Sequence, residues 1–155
     1  MTSPRRRAAV VAVTGGGVDS FVLVRRLLAP PQGAGLTGGA VVWPVYVRCG
    51  LRWEAAELAA LRRWLAHARQ PHLKPLGVLD LPARSLYGRH WSFTGRVPSA
   101  SSRDEAVYLP GRNVLLLGQA AVYAAARGGS RLAVGTLAGN PFSDATPDFF
   151  HRYGR

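Results

Sequence analysis

The sequence predicts an α/β fold, a mostly parallel sheet with flanking helices, and three observations carry that expectation. Four short apolar runs rich in β-branched residues alternate with three longer segments of helical period. The chain has 155 residues and is 48% hydrophobic, which suits one domain with a real core and leaves little room for two. The polar residues of chemical interest gather just past the carboxyl ends of the apolar runs, at Thr14 to Ser20, Arg48 to Trp53, Asp80 to Pro82 and from Thr136 onward. Ligands of open parallel sheets bind there.

"AAVVAVT", residues 8 to 14, reads as a buried strand, and residues 18 to 29 as a helix closed by Pro30 and Pro31. "PPQGAGLTGG" is a loop. "AVVWPVYV", residues 40 to 47, reads as the second strand, with Pro44 arguing against a central place in the sheet. Residues 53 to 68 form a helix, because Leu58, Leu61, Leu65 and Ala68 recur at helical spacing and mark a core face. "PLGVLDL", residues 75 to 81, is the third strand. Residues 82 to 110 mix Pro, Gly, Ser and aromatics without a period and read as an insert or lid within a single domain spanning 1 to 155. Residues 112 to 127 form the third helix, stopped by Gly128 and Gly129, and "RLAVGT" is the fourth strand. "LAGNPFSDATPDFF" reads as a polar, turn-rich segment with no element of its own. Right-handed crossovers follow from strand twist.

Twenty basic residues against eight acidic ones give a net charge of +12, and all the basic residues but Lys74 are arginine. Such a surface favours polyanions such as ATP, pyrophosphate or nucleic acid. The arginines are scattered, with Arg5 to Arg7 the one dense run, and the pairs Arg25-Arg26 and Arg62-Arg63 fall on helices, where a solvated face is the ordinary role. Nucleic acid is therefore a less favoured partner than a small molecule. No apolar stretch approaches the roughly 20 residues that span a bilayer. The basic-then-apolar start breaks at Gly15 without a cleavage pattern, so the expected compartment is the cytoplasm and no membrane partner is expected. Cys49 is the single cysteine, which excludes a disulfide within the chain and an all-cysteine zinc site.

The stretch "VTGGGVDSF" asks for a phosphate. Glycines before a helix let the backbone take positive φ and come close to a ligand, and they aim several N–H groups where the helix dipole favours an anion. Three glycines exceed what a tight turn needs. The Walker pattern is absent, since no lysine follows. The dinucleotide pattern fits Gly15 and Gly17 but meets Ser20 in place of its third glycine, and no acidic residue lies between Asp19 and Glu54 to hold a ribose. Nicotinamide cofactors are disfavoured, NADP held through Arg48 being the remaining exception.

What is left, Gly16-Gly17-Val18-Asp19-Ser20, resembles the S-G-G-x-D-S signature of the PP-loop ATP pyrophosphatases, with Gly15 in the place of the first serine. More of the chain resembles one branch, the 7-cyano-7-deazaguanine synthases (the QueC family of queuosine biosynthesis). "YLPGRN", Tyr108 to Asn113, is similar to a motif that this family carries before a helix. Around "CGLRWEAAELAAL", Gly50, Arg52, Glu57 and Leu58 match a second motif, with Trp53 standing for a histidine. In "VGTLAGNPFSDATPDFF", Asp144, Pro147 and Phe149 match a third, while Thr146 replaces an arginine and Asp148 a glutamate.

The resemblance implies an adenine nucleotide alpha hydrolase-like three-layer sandwich, here short at its C-terminus. It also implies a magnesium-dependent, ligase-type reaction: the loop holds the β- and γ-phosphates of ATP, a carboxylate attacks the α-phosphorus, pyrophosphate leaves, and ammonia or an amine takes the activated acyl group. Thr14, Gly15, Gly16, Gly17, Val18, Asp19 and Ser20 would bind the nucleotide, and Asp19 would hold Mg²⁺. Asp19, Ser20 and Arg112 would be the catalytic set; Arg112, Asn113 and Asp144 would meet the substrate, the arginine fork suiting an oxyanion. The hydroxyl of Thr14 would replace that of the absent serine. The synthases carry four zinc-binding cysteines beyond the third motif, so zinc is not expected in this chain. A homodimer would cover apolar surface that the missing terminal helices leave bare.

Each residue also has a plain structural reading. Asp19 can cap a helix, Arg112 can be a solvated first-turn residue, Asp144 can close an Asx-turn, and Asp80 can cap a turn or touch substrate. His90 and Trp91 can stack on a base or simply pack. A nucleotide-binding module without turnover and a tRNA-modifying PP-loop relative are the alternative functions.

Overall fold

The computed structural model describes residues 8–29, 39–137 and 139–154. Arg5 to Arg7, Pro30, Pro31 and most of the loop after them, together with Ala138 and Arg155, lie outside the described residues.

The alternation of the central strands explains the layers. In β1 (Ala9–Val13) and β2 (Val41–Arg48), Val10, Ala12 and Val42 face a core formed with Val24, Leu27 and Leu28 of α1 (Val18–Leu28), while Tyr46 packs with Leu58 and Leu61 of α2 (Glu54–His67). Val11, Val13, Val45 and Val47 face the other way, onto Leu117, Ala120 and Ala124 of α5 (Arg112–Ala125). A strand buried on both faces reads as a continuous apolar run, as β1 does. The four strands, completed by β3 (Gly77–Asp80) and β4 (Arg131–Val134), are all parallel in the order β3-β2-β1-β4. This is the expected α/β three-layer arrangement of a parallel sheet flanked by helices. The chain reverses direction across the sheet between β1 and β4, which makes their carboxyl ends the switch point.

Four details differ from the sequence reading. β2 is an interior strand despite Pro44. That residue lies between the isolated Val42–Leu73 bridge and the start of the β3 ladder at Val45–Gly77, where no ladder bond is asked of its missing N–H. The segment 82–110 is not without secondary structure, since it holds the one-turn helices α3 (Arg84–Tyr87) and α4 (Trp91–Thr94) and a 3-10 turn at Asp104–Ala106. It also sends Ala83, Phe93 and Leu109 into the core beneath α5. The polar C-terminal segment ends in α6 (Pro147–Tyr153), where Thr146 caps the Phe149 amide through its hydroxyl at 3.1 Å and Pro147 opens the first turn. The Thr-Pro pair was the signal for it. Finally, none of the three loop glycines has a positive φ; Gly17 at the N-cap is extended at φ −91 and ψ 165.

Candidate functional site

A cleft of about 360 Å³ opens at the carboxyl ends of β1 and β4. Thr14, Gly15, Asp19 and Ser20 line one side, Arg112, Asn113 and Asp144 another, and Tyr46 and Glu57 the floor toward β2. Residues more than a hundred positions apart thus meet in one place. Gly16, Gly17 and Val18 complete the loop beside it without lining the cleft.

The glycine loop is held from within. Thr14 is buried, its amide donating to the Val45 carbonyl at 2.8 Å and its hydroxyl to the same oxygen at 2.9 Å. That hydroxyl proton is therefore committed to β2 and is not on offer as the replacement for the absent serine. The Gly15 amide donates to Ser20 Oγ at 2.8 Å, closing the loop on itself and leaving the serine's own proton free. Gly16 is required for packing rather than for φ: a Cβ there would lie 2.6 Å from Glu57 Cα and 2.9 Å from its carbonyl oxygen. A Cβ on Gly17 would meet nothing within 4 Å. The amides of Gly16 and Gly17 have no partner among the described residues, and no side chain caps α1. Asp19 does not act as a cap. Its exposed side chain makes no hydrogen bond or ion pair among the described residues, and Gly135, at the end of β4, packs against its backbone.

Arg112 begins α5 directly after Gly111, whose φ of 69 needs a glycine. Its Nε is shielded from solvent and has no hydrogen-bond partner, and the guanidinium makes no ion pair among the described residues. A cation at a helix N-terminus opposes the dipole, and Arg112 itself has no ion-pair partner among the described residues to offset this. Asn113 and Asp144 hold each other. The Asn113 amide donates to Asp144 Oδ2 at 2.8 Å, and Asn113 Nδ2 donates to the Asp144 carbonyl at 2.8 Å. Asp144 Oδ1 accepts from the Tyr108 hydroxyl at 3.3 Å. The buried carboxylate thus caps α5 from 31 residues away instead of closing a local Asx-turn.

Sequence reasoning gave no role to Tyr46, Glu57, Tyr108 or Phe142. Tyr46 donates to Glu57 Oε2 at 2.6 Å, and burial, that hydrogen bond and the carboxylate's charge hold its phenol protonated far above the ordinary range. Arg112 acts on it in the opposite direction. Tyr108 stacks on Phe142 with centroids 4.6 Å apart, a wall of the cleft. Glu57 and Tyr108 were visible as matched landmarks, whereas the Tyr46–Glu57 contact crosses from strand to helix and leaves no periodic trace.

The remaining candidates lie off the cleft. Asp80 pairs with Arg48 at the exposed end of β3, which holds its carboxyl below the usual range. Trp91 stacks on Trp53 with centroids 5.0 Å apart, and His90 Nδ1 caps α4 by accepting the Ser92 amide. Burial lowers the His90 pKa and raises that of the free thiol of Cys49. Among the described residues no group of three metal-ligating side chains occurs, and no helix is long and apolar enough to cross a membrane.

No protein-family model matches the chain. Over 144 residues it is 28% identical to 7-cyano-7-deazaguanine synthase 1 of Desulfitobacterium hafniense (strain Y51), a distant similarity. The match covers 90% of this chain, which spans 60% of the relative's length.

Proposed function

We propose that this chain is an ATP-dependent adenylating enzyme of the 7-cyano-7-deazaguanine synthase kind. It would join the carboxylate of a deazapurine-type or other small acid to AMP with release of pyrophosphate, and pass the acyl group to ammonia or an amine with release of AMP. The observation that carries the reading is the half-buried Arg112, with a shielded Nε that has no hydrogen-bond partner among the described residues, lining the same cleft as the uncapped α1 N-terminus. Arg112 and the positive end of the α1 dipole face one cleft, and of the carboxylates that also line it, Asp19, Glu57 and Asp144, none is in ion-pair contact with Arg112. The distant synthase relative supports the same direction.

The donor set fits a nucleotide tail. The open amides of Gly16 and Gly17 and the free proton of Ser20 Oγ would bind phosphate oxygens, and the unpaired carboxylate of Asp19 would hold Mg²⁺. The metal, when bound, offsets the charge of the departing pyrophosphate. Arg112 would steady the oxyanion opposite the loop. Tyr46 keeps Glu57 in place against Gly16, and so keeps the loop in register with α2. A second reading, nucleotide held without turnover, is favoured by one fact: the Gly15 amide and the Thr14 hydroxyl are already bonded inside the protein.

The test is pyrophosphate release from ATP and Mg²⁺ with 7-carboxy-7-deazaguanine and ammonia, alongside calorimetry of ATP–Mg²⁺ binding. Turnover that falls at least about a hundredfold in Asp19→Ala, a loss of about 2.7 kcal/mol in transition-state stabilisation, supports the reading. Binding heat with no pyrophosphate from any acid supports retention without turnover, and absence of heat sinks both.

A further inference from the structure

Against the segment 84–96, a second cavity of about 570 Å³ shares no lining residue with the cleft. Four arginines line it, Arg52, Arg84, Arg89 and Arg96, and no carboxylate does. All four are exposed, and none of their side chains makes a hydrogen bond or ion pair among the described residues, where the ion pairs are Arg48–Asp80 and Arg152–Asp148. Like charges gathered in one groove repel unless an anion answers them.

Backbone contacts hold Arg52 against this segment. The Arg52 amide donates to the Ser92 carbonyl at 2.9 Å, which ties the start of α2 to α4. Gly95 ends α4 at φ 80, and a Cβ there would stand 3.3 Å from Arg52 Nε, so the guanidinium lies against that turn. An aromatic wall completes the groove. Trp91, backed by Trp53, carries a buried indole N–H with no acceptor among the described residues, and Phe93 is buried beside it.

We propose that this groove binds a single-stranded polynucleotide, with the arginines on successive phosphates and Trp91 against a base. One phosphate does not need four guanidinium groups. A repeating anion does, and a strand with unpaired bases also makes use of the aromatic wall. RNA and single-stranded DNA share this chemistry.

The experiment is fluorescence anisotropy of the full chain with a labelled single-stranded RNA of mixed sequence, across a salt series. The triple variant Arg84→Ala, Arg89→Ala, Arg96→Ala should lose at least about tenfold in affinity, and the slope of log K against log salt should flatten by roughly 2, at about 0.7 per phosphate contact. The charge-matched control Arg62→Ala, Arg63→Ala, Arg69→Ala removes three exposed arginines elsewhere and should lose less than about threefold. Trp91→Leu should weaken RNA but not inorganic polyphosphate. Melting curves check that each variant is folded. A DNA strand of the same sequence bound equally well assigns the groove to the shared backbone and bases, and a preference for RNA adds the 2′-hydroxyl. Equal losses in the two triple variants, no RNA binding by the parent chain at physiological salt, or polyphosphate bound as well as RNA by parent and Trp91→Leu alike would overturn the proposal.

Discussion

At the N-terminus of α5 the chain provides its own anion, because the buried Asp144 carboxylate accepts the Asn113 amide. At the N-terminus of α1, across the same cleft, it provides none: Gly17 has no side chain to cap with, and Asp19 makes no hydrogen bond among the described residues. Orphan N–H groups and a positive dipole end attract an anion in both places. Where the protein fills the position, the helix start is structural. Where it leaves the position open, with Arg112 lining the same cleft, an external anion is the natural occupant.

The start of α1 is most sensitive to substitution at Gly16. Gly16→Ala should destabilise the protein by up to about 3 kcal/mol in chemical denaturation, since its Cβ would overlap the Glu57 backbone at 2.6 Å. A tolerated alanine would mean that the loop is not wedged against α2. Arg112→Ala comes next. It should weaken ATP–Mg²⁺ binding by about tenfold or more in calorimetry, while leaving thermal stability unchanged or higher because a shielded Nε with no partner among the described residues is gone. A fall in stability with unaltered binding would make Arg112 a structural residue instead. Asp144→Ala should act the other way, costing about 1 to 2 kcal/mol of stability through the lost α5 cap, with a smaller effect on nucleotide. The smallest effect belongs to Gly17→Ala, whose Cβ meets open space. Folding should change by less than about 1 kcal/mol, so any loss of nucleotide affinity reports on the ligand alone. Equal behaviour of the Gly16 and Gly17 variants in the denaturation curves would erase the distinction between wedge and cradle.

Much of this was legible beforehand where local rules act alone. The four strands and three long helices sit within a residue or two of their expected bounds, because period and length report burial directly. Pro44 misled because its cost depends on which neighbour its missing N–H would face, and that is a property of sheet register. Helix α6 escaped because seven residues hold too few apolar positions to show a period, though Thr146 and Pro147 marked its start. The expectation of positive φ in the glycine loop is the part that the structure corrects. Gly16 answers a steric demand from Glu57, 41 positions along the chain, rather than a need for positive φ.

By itself the chain's pattern of apolar residues determined a parallel α/β fold, and its glycine loop marked one end of β1 as the place to look. Which polar groups are already partnered follows from contacts made on folding. Thr14, Gly15, Asn113 and Asp144 bond within the protein, while the side chains of Arg112 and Asp19 have no hydrogen-bond or ion-pair partner among the described residues. The physical reason is range. Strand and helix periods are set by neighbours a few residues apart, whereas the satisfaction of a hydrogen bond or a charge depends on atoms that the fold brings together from distant parts of the chain.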